Sequence, residues 1–342
     1  MAEQLPSPAS RGSGRNLAMG ALVVVLVVGL ALALSARARD LARIFVVSGW
    51  RVPVGGTTST GGPMRALGTD SVSRAAAETP PPTLHWVPPS DATWQWLPAG
   101  QLDFSHPADV YELPLATTSP DVPAEIHARG SHAVCWLPVS TVSTSDPNAK
   151  DLDPTLLGRD VPGHPGARYL DIRRLDDLKP FFSARLDDCW AKGFDGVDVS
   201  GIDAYDTASE PGTGFPVGIT DAVALATTVA GLGHGRGLAV GFHGALVTAP
   251  RDRLVDAVEP ITDFAVAERC ARSTFGCGVF ARYPQRGKAV LHLEYLQDYA
   301  NGTPANARAI LHLMCKAVAP YGYSSILKDG GGTNPAWRLA CP

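Results

Sequence analysis

Gly193-Phe194-Asp195-Gly196-Val197-Asp198-Val199-Ser200-Gly201-Ile202-Asp203-Ala204-Tyr205 is the stretch that decides the fold. Gly196 to Val199 reads as a short buried strand, because valine flanks the one acid and β-branched residues suit a pleated, packed surface. It runs straight into a loop that carries Asp203 and Tyr205. In a parallel barrel, groups at the carboxyl end of a strand face the active site.

The same pattern repeats along the chain from about Leu84. Short apolar runs mark strands at Thr93–Leu97, Val110–Leu113, Ala133–Leu137, Gly196–Val199, Ala239–Phe242, Phe264–Ala267, Val290–Leu293 and Ser324–Leu327. Helical stretches lie between several of them, at Pro123–Ala128, Leu178–Lys192, Asp221–Leu232, Arg251–Val258 and Ala305–Ala319. Alternation of this kind implies a mostly parallel sheet, and about eight such units in some 260 residues fit a (β/α)8 barrel. A doubly wound open sheet is the alternative. The glycine cluster Gly231–Gly237 does not supply its dinucleotide fingerprint, since it follows a helix and misses the spacing; it reads as a helix stop and turn.

The N-terminal part has a different composition. Residues 1–16 form a tail, and Leu17–Ser35 is an apolar run of nineteen residues without a charge. As a helix it would span about 28 Å, close to the roughly 30 Å of a bilayer core. That length favours an uncleaved signal anchor over a cleavable signal, although small residues near Ala33–Ala36 keep cleavage open. Residues 36–83, with GGTTSTGGP and ETPPPT, read as a flexible tether. The expected order is thus anchor, tether and a barrel over 84–342, with the barrel outside the cytoplasm, or secreted if the anchor is cleaved.

Charge is divided unevenly. Eight arginines against four acids give residues 1–80 a charge of +4, leaving −8 on residues 81–342. An acidic body excludes a nucleic-acid partner, whose phosphates need clustered Lys and Arg. The six cysteines contain no Cys-x-x-Cys pair, so no structural zinc site is expected. Cys270 and Cys277 are near enough to close a small loop, and Cys315 with Cys341 would tie the C-terminal tail to the last helix. An extracytoplasmic compartment favours both bonds, and the triplet Asn301-Gly302-Thr303 is a glycosylation acceptor consistent with it.

Several short landmarks occur in order: Trp94-Gln95-Trp96-Leu97, Cys135-Trp136, Tyr169-Leu170-Asp171-Ile172-Arg173, the Gly193–Tyr205 stretch, Phe264-Ala265-Val266-Ala267-Glu268-Arg269-Cys270, and Glu294-Tyr295. Together they resemble glycoside hydrolase family 114, the endo-α-1,4-polygalactosaminidase and α-galactosidase-like barrels. Its signature reads roughly Gly-x-Asp-Gly-Val-Asp-Pro-Asp-Asn-Val-Asp-Gly-Tyr. The resemblance implies a TIM barrel with no cofactor and no metal, acting on or binding an α-linked galactose or galactosamine glycan.

Glycosidases usually place two carboxyl groups across the scissile bond. Acids at strand ends are the candidates: Glu268 with Asp198 or Asp203 for catalysis. Trp94, Trp96, Trp136, Asp171, Tyr205, His243, Glu294 and Tyr295 are candidates for binding substrate. His243 reads as a hydrogen-bonded pocket residue, since no second histidine stands at metal-ligand spacing. Departures from the family pattern are systematic. Ser200 and Gly201 stand where the signature has Asp and Asn, Pro114 aligns with the acid of an Asp-Leu-Phe strand, and the acid after the Cys-Tyr strand aligns near Ser143. The Gly-Leu-Lys-Asn strand is Gly241-Phe242-His243-Gly244 here, and Ala267 replaces an Asn. A serine hydroxyl cannot replace a carboxylate beside an oxocarbenium-like transition state. Impaired catalysis on the same barrel, or glycan or protein binding without catalysis, is the expectation that follows.

Overall fold

Strand-forming segments rich in Val, Leu, Ala and Phe build one large sheet. In a computed structural model that describes residues 86–98, 100, 102–206, 212–245, 252–272, 276–329 and 337–342, the sheet opens with β1 (Trp94–Trp96), β2 (Val110–Pro114) and β3 (His132–Pro138). A small antiparallel sheet follows, made of β4 (Thr141–Ser143), β5 (Leu157–Asp160) and β6 (Ala167–Leu170) in the order β4-β6-β5. The large sheet resumes with β7 (Gly196–Ser200), β8 (Ala239–Ala245), β9 (Phe264–Glu268), β10 (Val290–Tyr295) and β11 (Ser324–Lys328). These eight long-sheet strands are mutually parallel and neighbour one another in chain order. A ninth, β12 (Arg338–Ala340), pairs antiparallel with β11.

Parallel neighbours need a crossover, and helices supply it. Val122–His127 lies between β2 and β3, Leu175–Ala191 before β7, Ile219–His234 before β8, Asp252–Val258 before β9, Arg282–Gln285 before β10 and Ala307–Val318 before β11. The result is a nearly closed barrel of the TIM type. The strands are bounded close to where the sequence places them. The β4-β5-β6 sheet is an addition that the apolar pattern did not signal, because its strands are three or four residues long. The apolar run Leu17–Ser35 and the tether 36–83 lie outside the described residues. Among the described residues no helix is long and apolar enough to cross a membrane.

Side chains alternate with the strand period of two. One set, including Tyr111, Cys135, Val197, Val240, Phe242 and Ala265, packs under the helices. The other set, including Trp94, Val110, Val134, Phe264, Val266 and Leu291, fills the barrel interior. The seam between β1 and β11 is bridged by side chains. Trp94 is 1% exposed, and its Nε1 donates to the Ser324 carbonyl at 2.8 Å; Lys328 Nζ donates to Gln95 Oε1 at 3.1 Å. Trp94, expected at the glycan, is instead a structural closure, because it sits at the base of the interior stack.

Both expected disulfides are present, Cys270–Cys277 and Cys315–Cys341, and Cys135–Cys189 joins β3 to the helix Leu175–Ala191. Peptide mapping without reductant should recover these three linked pairs; a free thiol at any of the six positions counts against the pairing. Trp94→Ala should lower the unfolding free energy by about 3–5 kcal/mol, the usual loss for a buried aromatic, measured by chemical denaturation. A loss under about 1 kcal/mol would mean that the seam does not depend on this ring.

Candidate active site

The carboxyl ends of β7, β8 and β9 carry a chain of buried charged groups, and the strand register explains it. Asp198 pairs in register with Gly241, and His243 stands two residues beyond Gly241 on the same face. His243 in turn pairs with Val266, and Glu268 stands two residues beyond that. Each group is therefore one step higher on the next strand. His243 Nδ1 donates to Asp198 Oδ2 at 2.5 Å, and Nε2 donates to Glu268 Oε2 at 3.0 Å. Glu112 on β2 points into the same interior and lies against Asp198. Asp198 is 0% exposed and Glu112 1% exposed.

The charges follow from these contacts. Burial opposes a charge on His243, but the charges and hydrogen bonds of Asp198 and Glu268 outweigh it and hold its pKa well above the ordinary value, so it is an imidazolium. Glu112 is pushed the other way: burial and the neighbouring Asp198 charge raise its pKa well above the carboxylate range, and it keeps its proton. Burial would also raise Glu268, but His243 and then Arg269 reverse the effect and hold it below its usual pKa. Arg269 Nη1 donates to Glu268 Oε1, Arg269 Nε donates to Asp298 Oδ2 at 2.6 Å, and the guanidinium lies 4.5 Å from the centre of the Tyr295 ring. Burial and the Glu268 charge push the Tyr295 hydroxyl pKa upward, and that hydroxyl also bonds Glu268.

Beside this chain is a cavity of about 300 Å3 lined by Trp96, Trp136, Asp203, His243, Glu268 and Tyr295, together with Ser200, Gly201 and Leu293. Trp96 and Trp136 meet edge to face with ring centres 5.7 Å apart. A second cavity, of about 380 Å3, continues from it across Trp136, Ser200 and Gly201 toward the β4-β5-β6 sheet. Gly201 has φ +82°, and a β-carbon there would stand 2.5 Å from Ser140 Oγ. Both conditions demand glycine at the junction.

Other residues singled out from the sequence lie elsewhere. Glu294 is fully buried; it accepts from the Ala271 N–H at 2.8 Å and the Tyr299 hydroxyl at 3.0 Å and contacts His292 Nε2 at 3.1 Å. It braces the loop after β9 rather than facing the cavity. Asp171 is 2% exposed and held by Arg173 through two bonds of 2.6 and 2.7 Å. Tyr205 is partly buried against the outer core. Sequence reasoning passed over Glu112 and Arg269. Glu112 is an acid inside an otherwise apolar strand, at the spacing that faces inward, and that was the available signal.

Among the described residues, two groupings have metal-ligand atom types. Glu112, Asp198 and His243 offer ligand atoms within 4.8 Å of one another, but both imidazole nitrogens are already bonded to carboxylates. Cys270, Cys277 and His292 also lie together, with the two cysteines joined to each other.

An α/β barrel whose mouth combines aromatic walls with carboxyl groups at the ends of β7 and β9 is built as a glycoside-hydrolase site is built. The chain belongs to glycoside-hydrolase family GH114, whose model matches residues 75–341. Among solved structures, Aspergillus fumigatus Ega3 in complex with galactosamine is similar at 23% identity and TM-score 0.65, over 76% of this chain and 98% of Ega3. The glycoside hydrolase domain of PelA from Pseudomonas aeruginosa is similar at 12% identity and TM-score 0.50, over 74% of this chain and 98% of that domain. None of the curated proteins matches.

Because the folded-state pKa of His243 is raised, its contribution to stability is complete below about pH 6.5 and is lost as pH rises through the folded value. Glu268 acts oppositely: its contribution is present above its unfolded pKa of about 4.3 and is lost as pH falls through the lowered value. Glu112, raised, adds a further decline as pH rises above its unfolded value. Thermal stability should therefore decline toward alkaline pH, the Glu112 part beginning above about pH 4.3 and the His243 part above about pH 6.5, and His243→Gln should remove the second part. Nitrogen-15 spectra of the imidazole should show both nitrogens protonated at about pH 7.5, above the ordinary histidine range. A neutral ring at that pH would sink the assignment.

Proposed function

We propose that this domain is a slow glycoside hydrolase that holds an α-linked galactosamine- or galactose-containing glycan in the barrel mouth, outside the cytoplasm. The observation that carries the reading is Glu268, a carboxylate at the family's position, opening into a cavity walled by Trp96, Trp136 and Tyr295. Aromatic faces suit sugar rings, since they supply apolar area with a polar edge. Galactosamine bound to Ega3 supports the choice of sugar.

The ionised Glu268 can attack the anomeric carbon or activate water, but it holds no proton for the leaving oxygen. Asp203, on the turn Ile202–Asp206 and in the wall of the same cavity, is the carboxyl left for that step. Asp198 does not meet the sugar; it is fully buried beneath His243 and fixes that ring. Turnover is slow for two reasons. Ser200 stands where relatives have an acid, and both oxygens of Glu268 are held by cations, which weakens it as a nucleophile. The same clamp favours a second reading, a domain that binds glycan without cleaving it. Six cysteines in three disulfides support an oxidising compartment, with Leu17–Ser35 as the anchor.

The test is reducing-end release from an α-1,4-galactosaminoglycan by wild type, Ser200→Asp and Glu268→Gln. The expected result is weak hydrolysis by wild type, an increase of about tenfold or more in Ser200→Asp, and loss in Glu268→Gln with binding retained. No hydrolysis in any of the three, with binding intact, decides for the second reading. Absence of both binding and cleavage would falsify the glycan assignment.

A further inference from the structure

The second cavity differs in chemistry from the first. Its walls include the apolar Pro114, Leu115 and Ala116 and the hydroxyl-bearing Ser140, Ser143 and Ser200. One carboxylate, Asp146, reaches it, and that group is already engaged. Arg185 Nε lies 3.2 Å from Asp146 Oδ2, with side chains only 7% and 13% exposed, and the Asn148 N–H donates to Asp146 Oδ1 at 2.9 Å. His164 and Arg185 are the other ionisable groups in the wall, and both are bases. Ser140 Oγ is buried, has no hydrogen-bond partner and lines the cavity. A β-carbon on Gly201 would stand 2.5 Å from that oxygen, so only glycine leaves room beside it.

An ammonium group entering this chamber would lose water and meet no available counter-charge, which is costly. An acetamido group meets the opposite conditions. Its methyl has Pro114, Leu115 and Ala116 to pack against, and its amide has the Ser143–Ser145 hydroxyl pair, 2.8 Å apart in the same wall, to bond. The resemblance places family acids at Pro114, near Ser143 and at Ser200, and these three residues all line this one chamber. Loss of acid there is therefore a change in one subsite rather than scattered decay.

We propose that the second chamber is a subsite for a neutral, N-acetylated sugar unit, and that it rejects the free amino sugar. This inference rests on the glycan reading above and names the substrate form that the site takes. It locates the selectivity beside Trp136, in the chamber that adjoins the Glu268 cavity across Ser200 and Gly201.

The experiment is calorimetric titration of the full-length protein with two probes of equal length, an α-1,4-linked galactosamine trisaccharide and its fully N-acetylated form. At about pH 6 a sugar amine is protonated, and the N-acetylated probe should bind about tenfold or more tighter. The gap should narrow at about pH 9, where the amine is neutral. Ser143→Asp and Ser200→Asp should each shift the ratio toward the free amine. Ser143 lies on the small sheet, so its variant does not disturb the barrel strands. Tighter binding of the amine form by wild type, or a ratio unmoved by both variants, overturns the subsite proposal and leaves the glycan reading standing. Binding of neither probe overturns both.

Discussion

An imidazolium ring held between two carboxylates inside a barrel is the interaction on which this mouth depends. His243 bridges β7, β8 and β9 through Asp198 and Glu268. Each of those charges would be prohibitive to bury alone, and each is tolerable only because the other two are present. The protonated Glu112 completes the arrangement by adding a neutral acid rather than a fourth charge. The geometry is a product of the parallel register, which raises each successive group by two residues. A slip of one residue in β8 would turn His243 out of the barrel and leave two carboxylates facing each other.

This chain of charge also sets what Glu268 can do. A carboxylate with a cation on each oxygen is well defined in position and weak in basicity. Its neighbours therefore divide the labour: the buried end of the chain, Glu112 and Asp198, fixes the ring, and the open end, Glu268 and Tyr295, meets the cavity. Arg269 adopts φ +58°, a conformation uncommon outside glycine, and from there reaches both Glu268 and Asp298. The adjacent Cys270–Cys277 bond and the Glu294 contacts to the Ala271 N–H hold the loop that makes this bend possible.

The barrel was legible in the sequence because its eight strands are apolar runs separated by helical spacing, and the signal depends only on local pattern. The β4-β5-β6 sheet was not, since its short strands are stabilised by contacts across the 141–170 segment rather than by an internal period. At the site, Asp198, His243, Glu268, Asp203, Trp96, Trp136 and Tyr295 come together as strand-end positions should. Trp94, Asp171 and Glu294 do not, and the reason is depth or side. Trp94 is one inward position too low on β1, Glu294 is off the inward face of β10 that Leu293 and Tyr295 share, and Asp171 belongs to the added sheet's end. Sequence position identifies the strand; parity along it decides whether a residue reaches the cavity.

Parity also divides the residues of the barrel by what an exchange would cost. Outward-facing residues of β2, β3, β7 and β8 pack under helices, and the cost of altering them falls on stability. Inward-facing residues at the upper ends without a charged partner, Pro114 and Ser200 among them, line the cavities. Exchanging one for another there costs little in packing and mainly alters charge. The charged groups are those whose removal would strand a neighbour: Asp198 without His243, or Glu268 without Arg269. What is fixed and what is free at this site therefore follows from one physical condition, whether a group's partner is buried with it.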